Sequence, residues 1–426
     1  MTKTLAAGLK PVSVDFKTLH KHYSPVLALV KELIGIVPNC DPILEIWPPG
    51  FRSYNLLVPN LFNLPNILFG NKSFKASIGL AMYSASKAAS CAYCTAHACS
   101  FALRRGASAD TIKGIRTPKE KAVVALAEGL SRIPADLTLA ECHAVEEYFS
   151  TAQIEWLVFS ISMMGFLNKF MNAMGVELEQ DAINDTAAVL TQTGWNPGKH
   201  INGSYRVTKT TTSRQDNLFT YLRVIRQAPG AILLEKKWTR GVPDNYSAAS
   251  EYLLKHTGYS FPILQPVTQK RVLRAITTVL SENLNIAYTS VGLKMKMIAG
   301  YIFSRVVSSK ALITEVKNMS VHFAPDICDI FSKLDNFARI EIPDDNASCR
   351  DILTSLQQQL DISPKEASAI LLAIAASPSP SCINEAVIET SLMNLEPASI
   401  VEIIVWLSVM QMLHRMSSYY ALIKAY

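Results

Sequence analysis

Two segments of the chain open a helix in the same way. Thr117-Pro118-Lys119-Glu120 and Ser363-Pro364-Lys365-Glu366 each carry a hydroxyl at the N-cap position, proline at the first helical position and a glutamate that closes a capping box. Behind the first, Ala122, Val123, Leu126, Ala127 and Leu130 fall on one helical stripe; behind the second, Ala367, Ile370, Leu371 and Ile374 do the same. At nearly equal distances downstream come Ile154-Glu155-Trp156-Leu157-Val158-Phe159 and Val401-Glu402-Ile403-Ile404-Val405-Trp406, each continuing as an apolar helix. This pairing predicts an all-α fold made of two tandem, diverged helical units packed by pseudo-twofold symmetry. Cys91-Ala92-Tyr93-Cys94 has a fainter echo in Ile286-Ala287-Tyr288-Thr289, and the second unit carries an insertion whose most polar part is Glu341–Arg350.

Between the units lies Thr193–Asn217, rich in Gly, Asn, Ser and Thr, with Trp195-Asn196-Pro197-Gly198 as a turn signal. The expected organisation is therefore an N-terminal unit over 1–192, a connecting segment over 193–244 and a C-terminal unit over 245–426. Val207–Thr212 has strand-like composition, but a single such run without a partner does not make a sheet. The connection is expected to be exposed and sensitive to protease.

With 426 residues, 49% hydrophobic and only 18% charged, the chain can bury large cores and has little purely solvated surface. Its net charge of +6 is spread without a basic run, which argues against nucleic acid. Met1–Gly35 shows no signal-peptide pattern, so the expected localisation is cytoplasmic. The apolar stretches Trp156–Leu167 and Ile403–Leu413 fall short of the roughly 20 residues a membrane span needs; they are expected as buried helices, with no membrane partner. Eight cysteines are too sparse for a disulfide framework, which leaves the cluster at 91–99 as the place for chemistry.

Ser90 is a fair N-cap for a helix running through Cys99 to Arg105 and stopped by Gly106, so Cys91 and Cys94 would share a face in its first turn. A helix N-terminus lowers a thiol's pKa, and His97 follows Cys94 on the same side of the helix as an acid, base or thiolate partner. Packing is the competing reading, because cysteine is a common small core residue in Ala-rich helices. Zinc is disfavoured, since Cys91, Cys94, His97 and Cys99 on one helix cannot converge on a single ion. Haem attachment is excluded because Thr95, not histidine, follows Cys94.

The run Cys91-Ala92-Tyr93-Cys94-Thr95-Ala96-His97, the segment Arg104-Arg105-Gly106-Ala107-Ser108, Thr117-Pro118-Lys119-Glu120 and Phe166-Leu167-Asn168-Lys169 together resemble the carboxymuconolactone decarboxylase and alkylhydroperoxidase D (AhpD)-like superfamily. The match covers about 45–180. The arrangement of one cysteine-bearing and one cysteine-free unit is similar to the sestrins. The resemblance implies a buried, redox-active CxxC that reduces hydroperoxides, with Cys94 as peroxidatic thiol, Cys91 as resolving thiol, and Tyr93 and His97 around them. In sestrin-like members the first cysteine alone is kept, which leaves Cys91 open as the attacker. The family pattern also has a glutamate before the first cysteine and a histidine after the second; here those positions are Gly79 and Ala98, with His97 one residue early. An incomplete proton relay implies slow turnover.

Three functions follow. The first is a thiol-dependent hydroperoxide reductase, an antioxidant oxidoreductase that needs no cofactor beyond an external dithiol or thioredoxin-like reductant. The second is a non-catalytic, sestrin-like interaction or ligand-sensing protein. The third, a lactone-acid decarboxylase, lacks a dedicated acid and base. Relatives usually associate, but two fused units could bury the face that single-unit relatives bury between subunits, so a homo-oligomer and a monomer both stay open. His143, His414, Met163-Met164, Met410, Met412 and Met416 read as surface or core residues, Lys236-Lys237 and Lys294-Met295-Lys296 as solvated faces, and Asn168 as a polar residue in need of a partner.

Overall fold

The computed structural model describes residues 4–201 and 217–424, and among them the chain is all-helical, without a β-strand. Most of the expected connection, with Val207–Thr212, lies outside the described residues. The helices that build the architecture are α1 (Phe16–Ile34), α2 (Pro48–Leu61), α3 (Lys72–Ala88), α4 (Ala92–Arg104), α5 (Pro118–Ser131), α6 (Thr151–Met174) and α7 (Gln180–Leu190), followed by α8 (Leu218–Trp238), α9 (Lys270–Asn283), α10 (Gly292–Val306), α11 (Lys310–Phe323), α12 (Pro364–Ala376) and α13 (Pro397–Lys424). Shorter helical turns link them.

Both expected start signals form full capping boxes, at Thr117/Glu120 for α5 and Ser363/Glu366 for α12. The centre of the molecule is the α6–α13 pair, and α3, α4 and α5 pack around α6 while α10, α11 and α12 pack around α13. Both central helices are apolar on nearly every side, which requires burial all round. At 28 residues α13 is long and apolar enough to cross a membrane, and 89% of its apolar window is covered by the rest of the protein.

The two hairpins that lean on these central helices turn in the same way. Between α3 and α4, Ala89, Ser90 and Cys91 donate backbone bonds to Ala85, Lys87 and Ser86; between α10 and α11, Val307, Ser308 and Ser309 donate to Phe303, Arg305 and Ser304. Ser90 and Ser308 both adopt a left-handed conformation, with φ of 51° and 54°. The two turns part company in chemistry: Cys91 and Cys94 in one correspond to Ser309 and Leu312 in the other. The echo at Ile286–Thr289 lies instead in the connection between α9 and α10. Between α11 and α12 the chain forms the 3-10 turn Pro325–Ile330 and the helices Phe331–Phe337 and Asn346–Leu360.

Buried cations tie the halves together. Lys169 on α6 donates from Nζ to the carbonyls of Ala376 (2.9 Å), Ser377 (2.6 Å) and Pro378 (2.7 Å), capping the C-terminal end of α12. Arg415 on α13 donates to the Ile161 carbonyl at 2.8 Å. Lys296, expected on a solvated face, is instead fully buried: its Nζ lies 2.7 Å from Glu402 Oε1 and 4.8 Å from the Trp47 ring centroid, and it donates to the Asn283 carbonyl. It lies near the start of a continuous buried run on α10, from Met295 to Ser304.

Candidate functional site

The site begins at the α3–α4 turn. The left-handed Ser90 lets the chain reverse, and the N-cap is Cys91 rather than Ser90: its Sγ accepts from Cys94 N at 3.5 Å. The turn is fastened from three directions, by Asn172 donating to the Ser90 carbonyl (3.3 Å), Trp195 Nε1 donating to the Ala92 carbonyl (3.0 Å) and Thr95 Oγ1 donating to the Cys91 carbonyl (2.8 Å). Ser381, from the loop after α12, donates its N–H to Asn172 Oδ1 at 2.9 Å, so the second half of the chain supports the cysteine turn.

At Gly79 the helix crossing leaves no space for a glutamate. A Cβ on Gly79 would fall 2.6 Å from Ala102 Cα, so the α3–α4 crossing leaves no room for any side chain. The carboxylate comes from elsewhere. Glu179, the residue before α7, places Oε2 at 2.8 Å from His97 Nε2, while its Oε1 accepts from the Tyr93 hydroxyl at 2.8 Å and from Asn39 N at 2.6 Å. The Tyr93 and His97 rings lie with centroids 4.5 Å apart, and His200 stands 5.8 Å from Tyr93 on the other side.

Charge follows this geometry. Burial works to raise the Glu179 carboxyl, but the His97 ring beside it and the bonds from His97 and Asn39 prevail and hold it below the usual carboxylate range. Tyr93 is raised, first by burial and then by the Glu179 charge. Cys94 is also raised, by burial first and then by its neighbours Cys91 and Cys40, with the Arg415 guanidinium pulling the other way. At rest Cys94 is thus a neutral thiol. The helix N-terminus, expected to yield a thiolate, is outweighed by the loss of water around a residue only 3% exposed. A base is needed to ionise it; His97 lines the same cavity, and when its ring is neutral with Nε2 donating to Glu179, Nδ1 is its acceptor nitrogen.

Tyr93, Cys94 and His97 line one apolar cavity of about 70 Å³ together with Tyr54, Phe62, Met82, Met163, Met164 and Met171. Met163 and Met164, expected as core packing, thus also form part of its wall, while Met410, Met412 and Met416 are buried in the core. Cys91, fully buried, is not among the lining residues. Cys99 is buried and pushed up to about 12 by burial. Among the described residues no group of three or more His, Cys, Asp or Glu could hold a metal ion.

The remaining candidates lie outside this cavity. His143 is exposed and pairs with Glu146 at 2.9 Å. His414 is buried behind Arg415 and lowered to about 3 by burial and by the Arg415 and Lys169 charges. Asn168 finds its partner in the Ala85 carbonyl at 3.3 Å. Sequence reasoning missed Glu179, Cys40, Tyr54 and Arg415. Cys40 was visible only as an isolated thiol, and Glu179 lies far along the chain from the motif it completes.

No family model matches this chain, and no curated protein matches it. Among solved structures, the chain is similar to the apo form of the debrominase Bmp8, with 21% identity and a TM-score of 0.36 over 42% of this chain and 96% of that one.

Proposed function

We propose that the chain is a thiol-dependent hydroperoxide reductase built from two tandem AhpD-like units, of which only the first carries thiols. The observation that carries this reading is the joining of Cys94 and His97 in one cavity with Glu179 bound to the far side of the His97 ring. His97 takes the Cys94 proton, and the thiolate attacks the distal peroxide oxygen, breaking the O–O bond to give a sulfenic acid and an alkoxide that recovers the proton from His97. Cys91 then attacks the sulfenic sulfur, releasing water and forming a Cys91–Cys94 disulfide, which an external dithiol reduces by exchange. The matched α3–α4 and α10–α11 turns support the two-unit arrangement.

Glutamate, histidine and tyrosine in contact favour better turnover than the Gly79 and Ala98 positions imply. Peroxide consumption with a dithiol should be measured for the wild type, Cys94→Ser and His97→Ala. Loss of turnover in both variants supports the reading; equal residual rates in all three refute it.

A second reading rests on the size of the cavity. At about 70 Å³ it has about half the roughly 150 Å³ of an apolar cavity that holds benzene. A substrate with an organic body must open it, and a site that stays shut would make the chain a non-catalytic interaction or sensing protein. Cysteine alkylation rates in the native protein separate the two: a site that opens labels Cys94 well before global unfolding.

A further inference from the structure

Helix α8 turns its large side chains away from the protein. It runs antiparallel along α1, with Arg223 against Glu32 (2.8 Å), Gly230 against Pro25 and Trp238 against Tyr23. Its inner face is made of small residues: Val224 and Ala231 are buried, and a Cβ on Gly230 would fall 2.7 Å from Pro25 Cβ. Outward point Leu218, Phe219, Leu222, Ile225, Ile232 and Leu233, each between 49% and 69% exposed. Phe69, 67% exposed, extends the patch through its ring contact with Tyr221. A contiguous exposed apolar stripe of this kind on a helix marks an interaction surface.

The charges on the same face have one dominant sign. Arg226, Lys236 and Lys237 are exposed along α8, Arg240 is exposed just beyond its end, and the antiparallel pairing brings Lys17 and Lys21 of α1 to the same end. The acids nearby are already engaged: Glu32 by Arg223, Glu235 by Asn60 (3.2 Å), and Asp15 as the N-cap of α1. A second copy of the chain would set these cations against each other with no free carboxylate among the described residues of this face to receive them. The chain's own residues 202–216 contain only Tyr205 and Val207 as large apolar side chains, too few to cover six.

We propose that α8 seats the protein on an anionic lipid surface, with its apolar stripe at the headgroup–acyl boundary and its basic residues against lipid phosphates. This is a surface contact, distinct from the spanning segments considered from the sequence, and independent of the thiol chemistry. Full-length protein should co-sediment with phosphatidylcholine vesicles containing phosphatidylserine and not with phosphatidylcholine alone. Added salt should weaken the binding. Leu222→Glu/Leu233→Glu and Lys236→Glu/Lys237→Glu, all at exposed positions, should each lower the bound fraction at least tenfold while leaving the melting temperature unchanged. Equal binding by the variants, or no binding to anionic vesicles, overturns the proposal. So does conversion of a dimer to a monomer by Leu222→Glu/Leu233→Glu without any lipid binding, which would assign the face to a second copy.

Discussion

His97 Nε2 lies 2.8 Å from Glu179 Oε2, although one residue is on α4 and the other stands at the start of α7. The bond fixes which ring nitrogen carries the proton when His97 is neutral, and it leaves the other nitrogen as the base. The same carboxylate holds Tyr93, so a single side chain sets the orientation of both rings beside Cys94.

On the proposed hydroperoxide-reductase reading, Glu179→Gln should lower peroxide turnover by about ten- to a hundredfold, the usual cost of losing a partner that orients a functional histidine. The amide can still bond Tyr93 and His97, so the fold is kept and the loss falls on the rate constant more than on substrate binding. Single-turnover kinetics of Cys94 oxidation check this. A variant as fast as the wild type would remove Glu179 from the mechanism.

The same residue has a pH signature. Its folded pKa lies below the usual value near 4.5, so it contributes stability that is fully present above that value and is lost as pH falls through the folded one. Wild type should be more stable than Glu179→Gln at about pH 6, and the gap should close on acidification below about pH 4. Urea unfolding at the two pH values measures it. A gap that widens in acid would contradict the assignment.

Helix content was legible because capping signals are local: Thr117-Pro118-Lys119-Glu120 declares α5 within four residues, and the structure places the cap there. The thiols and His97 were legible for the same reason. Glu179 was not, since its role depends on how α7 returns to α4, a tertiary relation that no spacing encodes. Lys296 misled because a lysine between Met295 and Met297 reads as solvated until its partner Glu402, from the far end of the chain, is in place. The direction of the Cys94 shift was misjudged on similar grounds, because the helix terminus is visible in sequence whereas the depth of burial is not.

Gly79→Ala tests how closely the α3–α4 crossing is packed. With its Cβ 2.6 Å from Ala102 Cα, a backbone contact that cannot yield by rotamer change, the substitution should destabilise the protein by about 1–3 kcal/mol. Chemical denaturation checks this, and Gly79→Glu, with a larger side chain, should be worse still. A neutral Gly79→Ala would mean that the α3–α4 crossing adapts freely.

The Lys296–Glu402 pair gives the sharpest test of the second half. Both side chains are fully buried, and Glu402 Oε2 also accepts from Ser290 N and Oγ at 2.6 Å each, so the carboxylate pins the entry of α10 as well as the lysine. Removing one partner leaves a buried charge uncompensated, and Glu402→Gln should cost about 3–5 kcal/mol. Lys296→Met alone should cost a similar amount by stranding the carboxylate. The double variant Lys296→Met/Glu402→Gln removes both charges while the amide can still accept from Ser290, and it should recover much of the loss. A double-mutant cycle by urea unfolding measures the coupling directly. Additive costs would show that the two residues act separately, and would leave Ser290 as the partner that matters to Glu402.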